Sequence, residues 1–370
     1  MPRMQHRCQT AALTSARMSS RGKKKRLVRA MPQAARAASQ PGRVESLLDV
    51  MVDGNEYGSI VSLVPTNPDI IVEIRRGIAE IEQIRGRPCV LYVANQIKDV
   101  KETAIHASDH LPFCEMVGQI AADQKKLDIF ISTPGGSGEQ VNLFVEALRP
   151  RFDEVDFLVP YKAMSAGTLW AFSGNRIWMD SRAFLGPLDP QVPSKDGNYV
   201  PAQSLLTLLQ KIQDDGQAAL AKKENPPWSL IRLLDVMDQK QLGAAMSATQ
   251  YVVNMATTYL ERFKFSTWLK HHDGAPVTPE QRRERAEWVA KELASHERWR
   301  AHGHAISRDV LWGELKLKID RPEDVPGLQR AMRRLWALVY YAFDKLPVVK
   351  MIVSGHYSFV RSQVNLLVQR

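Results

Sequence analysis

Three short segments of this 370-residue chain hold residue types that could do chemistry. In Tyr161-Lys162-Ala163-Met164-Ser165-Ala166-Gly167-Thr168 a serine stands between small residues, after a strand-like run and before a helix-like one. On such a turn the hydroxyl is exposed. The helix N-terminus brings free N–H groups and a positive dipole end to the place where an oxyanion would form. A plain N-cap is the competing reading of Ser165, because serine is a preferred cap. In Ser132-Thr133-Pro134-Gly135-Gly136-Ser137-Gly138 the paired glycines free a backbone N–H and let a substrate approach closely. Taken alone, that loop also fits a tight turn or a phosphate cradle, although its spacing misses both G-x-G-x-x-G and the P-loop. In Phe184-Leu185-Gly186-Pro187-Leu188-Asp189-Pro190-Gln191 two prolines flank and stiffen Asp189. A solvated turn aspartate is the commoner fate of Asp before Pro.

A serine hydroxyl is a poor nucleophile unless a neighbour takes its proton. Residues 166–270 contain no histidine; beyond them stand His271-His272 and the cluster His296, His302 and His304. Surface or structural duty is the ordinary fate of any one of them.

These segments need a frame. Ile70, Ile71, Ile74, Ile78, Ile81 and Ile84 recur at helical spacing, so residues 45–86 read as mostly helical. From residue 88 strands and helices alternate. Cys89–Val93, Leu127–Ser132, Val155–Pro160 and Arg176–Met179 are short apolar strand-like runs, with helical stretches over Leu111–Asp123, Gln140–Leu148 and Thr168–Ser173. That alternation predicts an α/β fold, a mostly parallel sheet over 88–192 with flanking helices. After about residue 201 the strand signals stop. A helix-rich half follows, broken at Asn225-Pro226-Pro227, with further helices over 278–297 and 323–343. It is expected to cover one side of the sheet. The division is therefore a basic tail over 1–44, an α/β core with an N-terminal helix over 45–200, and a helix-rich extension over 201–370 that completes the domain.

Composition excludes several classes. A hydrophobic share of 44% allows a sizeable core. No run of about 18 uncharged apolar residues occurs, so no membrane span is expected; the nearest candidate, Leu335–Val353, is interrupted by Asp344, Lys345 and Lys350. The net charge is +10, but residues 1–44 carry eight Arg and three Lys with no Asp or Glu, so the rest of the chain is one charge negative. The basicity belongs to the tail, and no specific nucleic-acid partner follows from it. The tail is expected to be disordered and dispensable for folding. It resembles a transit peptide in composition but lacks the apolar segment of a secretory signal, and a cytoplasmic location is the expectation. Cys8, Cys89 and Cys114 fit no zinc spacing and no CxxC pair, so no metal and no cofactor are expected. The absence of GxxxxGK means that the chain is not its own ATPase.

The order strand–PGG–helix–strand–xSAGT–helix–strand–GPxDPQ resembles the ClpP/crotonase superfamily. Within it the chain is similar to the ClpP-like serine dehydrogenase proteinase family, and more distantly to signal peptide peptidase A. The motifs carry that resemblance over residues 126–192, with a looser likeness from about residue 88. It implies a serine peptidase with Ser165 as nucleophile and an oxyanion hole from the amides of Gly135, Gly136 and Ala166. It also implies a Ser, Asp, His order, since the ClpP order needs a histidine where this chain reads Leu185-Gly186-Pro187-Leu188. Asp189 is then the acid. His302, between small residues in Arg300-Ala301-His302-Gly303, is the preferred base. Signal peptide peptidase A-like enzymes use a Ser–Lys dyad instead, which makes Lys195 and Lys162 the alternative bases. The resemblance further implies a homo-oligomer acting on a peptide or protein substrate, with an ATPase partner as an open option. Two other readings stand beside it: an inactive oligomeric scaffold of the same fold, and a crotonase-like acyl-CoA enzyme.

Overall fold

Helices come first, as expected for residues 45–86, and the isoleucine spacing falls on one of them, Ile70–Arg85. A computed structural model describes residues 46–63, 69–194 and 196–363; the tail, with its expected disorder, lies outside the described residues. Helix α1 spans Glu56–Leu63 and α2 spans Ile70–Arg85. The Asp69 carboxylate caps α2 by accepting from the N–H groups of Ile71 and Val72, and Gly86 ends it in the left-handed region at φ 64°. Strand β1 (Cys89–Ala94), α3 (His110–Gly118), β2 (Lys126–Ser132), α4 (Gly138–Leu148) and β3 (Glu154–Val159) follow. Then come the short β4 (Lys162–Ala163), α5 (Ala166–Phe172), β5 (Arg176–Met179), β6 (Phe184–Leu185) and the hairpin β7 (Gln191–Pro193) with β8 (Tyr199–Pro201). The second half holds α6 (Ala202–Ala221), α7 (Trp228–Val236), α8 (Gln239–Tyr259), α9 (Pro279–Ala294), α10 (His296–Trp299), β9 (Ile306–Ser307), α11 (Arg308–Gly313) and α12 (Leu328–Lys345). It closes with β10 (Val348–Val353) and β11 (Ser358–Ser362).

The main sheet runs β11-β10-β1-β2-β3-β5. Its β1-β2-β3-β5 portion is parallel throughout, as expected for residues 88–192. The strands do not stop at residue 201, however. The last two join antiparallel at the β1 edge. The six residues of β10 are all buried. A charge at Lys350 disguised them as the tail of a helical apolar stretch.

Alternation along each strand splits the core in two. Val90, Tyr92, Ile129, Ile131, Phe157 and Val159 face one layer, with α3, α4, α5, α8 and α9. Cys89, Leu91, Val93, Phe130, Leu158 and Met351 face the other, with α1, α2 and α12. The C-terminal half therefore covers both faces, not the single one expected: α8 and α9 lie over one and α12 over the other. Both faces being dry is what lets the parallel strands be uniformly apolar.

The two buried charged exceptions, Asp128 and Asp156, sit at the N-terminal ends of β2 and β3. Arg85 bonds both, at 2.8 and 2.7 Å, and Arg87 reaches Glu154 at 2.8 Å. The C-terminal ends of the same strands carry the Ser165 turn and the glycine loop.

Candidate active site

Ser165 stands between β4 and α5 with φ 49° and ψ −116°, a conformation that costs a non-glycine residue about 1–3 kcal/mol. Its hydroxyl makes no capping hydrogen bond, so the plain N-cap reading does not describe it. The surroundings hold the strain in place. Thr133 pairs with β4 through Thr133 N–H to Lys162 O and Met164 N–H to Thr133 O, both 2.9 Å. The buried Thr168 hydroxyl donates to Ala163 O at 2.7 Å and accepts from Gly186 N–H at 2.9 Å, tying the turn to the Asp189 loop.

The glycine loop packs directly on this turn. Gly135 has φ 102°, and a Cβ there would lie 2.8 Å from Ser165 Cβ. Gly136 has φ 140°, and its Cβ would lie 2.4 Å from the backbone of Ile105. Ile105 donates its N–H to Gly135 O at 2.7 Å and accepts from Ser137 N–H at 2.9 Å. Alternation along the loop then turns the Gly136 N–H away from Ile105, and it has no acceptor among the described residues. The Ala166 N–H, first in its helix, is likewise without one. The Gly135 N–H is engaged with Thr133 Oγ1 at 3.2 Å. Of the three expected oxyanion amides, two are free.

Gly135, Gly136, Ser165, Ala166 and His302 line one cleft of about 1040 Å³. Its other walls are largely apolar, with Leu169, Leu188, Tyr199, Tyr251 and Val252 among them. Tyr199 comes from the β7–β8 hairpin and Tyr251 and Val252 from α8 of the helix-rich half, and no motif announced them.

The acid and base candidates fall in two places. Asp189 is 2% exposed and accepts from Nδ1 of His296, not His302, at 3.1 Å. The reason is local: Leu188 N–H bonds Leu293 O at 2.8 Å, laying the 188–190 turn against the end of α9, and His296 opens the next helix. The other oxygen of Asp189 is buried without a partner, and so is Nδ1 of His302. His304 packs its ring on Trp299, and His271 bonds Gln281 beside Trp268, so neither points into the cleft lining. Lys162 lies over the Tyr161 ring at 4.9 Å and does not line the cleft. Lys195 lies outside the described residues. No group of three or more His, Cys, Asp or Glu among the described residues could hold a metal.

The fold and site thus define an α/β protein with a strained serine turn beside unpaired amides at the C-terminal ends of parallel strands. Residues 114–221 match the family described as ClpP-like SDH-type serine proteinase, and the resemblance drawn from the motifs is borne out. Two uncharacterized proteins of Methanocaldococcus jannaschii are similar. One is 38% identical over 91 residues, covering 25% of this chain and 30% of that protein. The other is 32% identical over 159 residues, covering 39% and 51%. The matches therefore span about half or less of those relatives. Among solved structures, a 1510-N membrane-bound stomatin-specific protease in complex with a substrate peptide is 14% identical over 63% of this chain and 75% of that one, with a TM-score of 0.34. An enoyl-CoA hydratase from Mycobacterium avium subsp. paratuberculosis is 15% identical over 46% and 86%, with a TM-score of 0.20. No helix among the described residues is long and apolar enough to cross a membrane.

Proposed function

We propose that the protein is a serine peptidase that hydrolyses peptide bonds through an acyl-enzyme at Ser165. The observation that carries this reading is the strained Ser165 turn packed against a loop whose Gly136 N–H is free. Ser165 attacks the scissile carbonyl, and the N–H groups of Gly136 and Ala166 receive the oxyanion. His302 takes the hydroxyl proton and later passes it to the leaving amine. Asp189 orients His302 through its unpartnered oxygen, while His296 holds the other. Each of the two groups has one buried polar atom without a hydrogen-bond partner, Oδ1 on Asp189 and Nδ1 on His302, so each can make a further bond. Lys195 and Lys162 are the bases to test if His302 is dispensable. A peptide or protein substrate, a homo-oligomer and a cytoplasmic location belong to the same reading, with an ATPase partner left open.

One observation favours the inactive scaffold: no hydrogen bond joins the Ser165 hydroxyl to a histidine among the described residues. Catalytic bonds are commonly loose in the absence of substrate, so this does not displace the first reading. The test is hydrolysis of a peptide library and of acyl-CoA thioesters by the wild type and by Ser165→Ala. Peptide cleavage lost in the variant supports the proposal. Peptide cleavage that survives ends it, and thioester turnover alone points to a crotonase-like enzyme.

A further inference from the structure

The chemistry above leaves one fully buried charge pair unused. Lys350, on β10, and Asp109, beside the start of α3, are both 0% exposed. The ammonium donates to Asp109 Oδ2 at 2.7 Å and to the backbone carbonyl of Ala104 at 2.7 Å. The same carboxylate oxygen accepts from the Tyr92 hydroxyl at 2.8 Å and from His106 N–H at 3.0 Å. Its other oxygen faces Arg361 at 3.9 Å. Burial lowers the Lys350 pKa from the ordinary lysine range, and Asp109 works against that shift.

The location gives this cluster a use. It grips residues 104 and 106 from behind, on either side of Ile105. Ile105 is the residue whose backbone holds Gly135 and Ser137 and turns the Gly136 N–H outward. Ala104 itself lines the cleft. A buried ion pair is expensive, and an apolar pair of similar volume is often at least as stable, so its energy alone does not explain it. What an apolar pair cannot do is fix a backbone carbonyl by a directed bond.

We propose that Lys350, through Asp109 and Ala104, is a positioning residue that holds Ile105 against the glycine loop and so sets the direction of the Gly136 N–H. The link to catalysis rests on the peptidase reading; the link to the loop does not. The test is the full chain carrying Lys350→Met with Asp109→Asn, which removes both charges together. Hydrogen exchange should quicken about tenfold in the peptide covering residues 132–138 and stay unchanged in the α2 and α12 peptides. On a cleavable peptide kcat should fall about tenfold to a hundredfold, the size expected when reacting groups are slightly misplaced. KM should hold within about threefold. Affinity for a peptide aldehyde, whose adduct presents an oxyanion, should fall in step with kcat.

A folded variant with wild-type exchange over 132–138 would overturn the proposal. So would exchange raised everywhere, which marks a merely structural role, or a loosened loop with unchanged kcat. A wild type that hydrolyses nothing ends the peptidase reading, while exchange still decides the loop. If the double variant does not fold, Tyr92→Phe removes one bond from the same carboxylate. It should shift exchange and kcat in the same direction by a few-fold, and no shift would overturn the proposal.

Discussion

The two ends of the parallel sheet treat their polar groups in opposite ways. At the N-terminal ends of β2 and β3, Asp128, Asp156 and Glu154 meet Arg85 and Arg87 in a buried ion-pair network, with the Trp178 Nε1–H donating to Asp156. At the C-terminal ends, Ser165 is strained, two amides lack acceptors, and one oxygen of Asp189 and one nitrogen of His302 are buried without partners. Native proteins rarely leave buried polar groups unmet. One end of the molecule pairs opposite charges with each other, leaving Asp156 Oδ1 and the Arg87 Nε and Nη1 without hydrogen bonds. The other sets a strained serine and two amides without acceptors on a cleft.

The sharpest way to test the contrast is to remove the reactive group at the open end. Ser165→Ala should cut hydrolysis by three orders of magnitude or more and leave the unfolding free energy within about 0.5 kcal/mol of wild type. His302→Ala should lose nearly as much, and the double variant no more than either single one, because nucleophile and base act as a unit. Asp189→Asn should be severe but milder. Steady-state kinetics on one peptide decides all three, and full activity in His302→Ala would remove the triad while leaving Ser165 standing.

The ion-paired end should respond in stability instead of rate. Arg85→Met leaves Asp128 and Asp156 buried with one cation fewer, and should destabilise by about 3–5 kcal/mol. Its kcat per folded molecule should stay within about threefold of wild type. A large loss of kcat with intact stability would erase the distinction between the two ends.

A smaller effect sharpens it further. Lys264 lies near Asp320 at 3.9 Å, and burial pushes its pKa down to about 8. A lysine with a depressed folded value costs stability while charged. Between about pH 8 and the ordinary lysine range the unfolded chain binds more protons, so stability from this group rises with pH. Measured against Lys264→Met, the wild type should therefore gain up to about 3 kcal/mol between pH 7 and pH 10.5 in chemical denaturation. A flat difference would show that Lys264 is well paired like its neighbours.

The legible part of the molecule was the part written in local pattern. The strand runs and the three loops fall in one continuous stretch, and the types of Gly135, Gly136 and Ser165 reflect backbone geometry that side-chain choice betrays. What stayed hidden depends on distant contacts. The Asp189–His296 bond spans 107 positions, and proximity of three histidines in the chain did not say which one the turn would meet. That Gly136 and not Gly135 offers the free amide follows from Ile105, some thirty residues away and without any motif. Strand β10 escaped because Lys350 looked like a solvated interruption, when a partner brought from residue 109 lets it be buried.

The most direct test of the central claim is covalent. The full chain should be treated with a fluorophosphonate, digested, and mapped by mass spectrometry, beside Ser165→Ala. The account predicts one adduct per chain, on the peptide containing Ser165, and none in the variant. Labelling that spares Ser165, or persists unchanged in the variant, would contradict it.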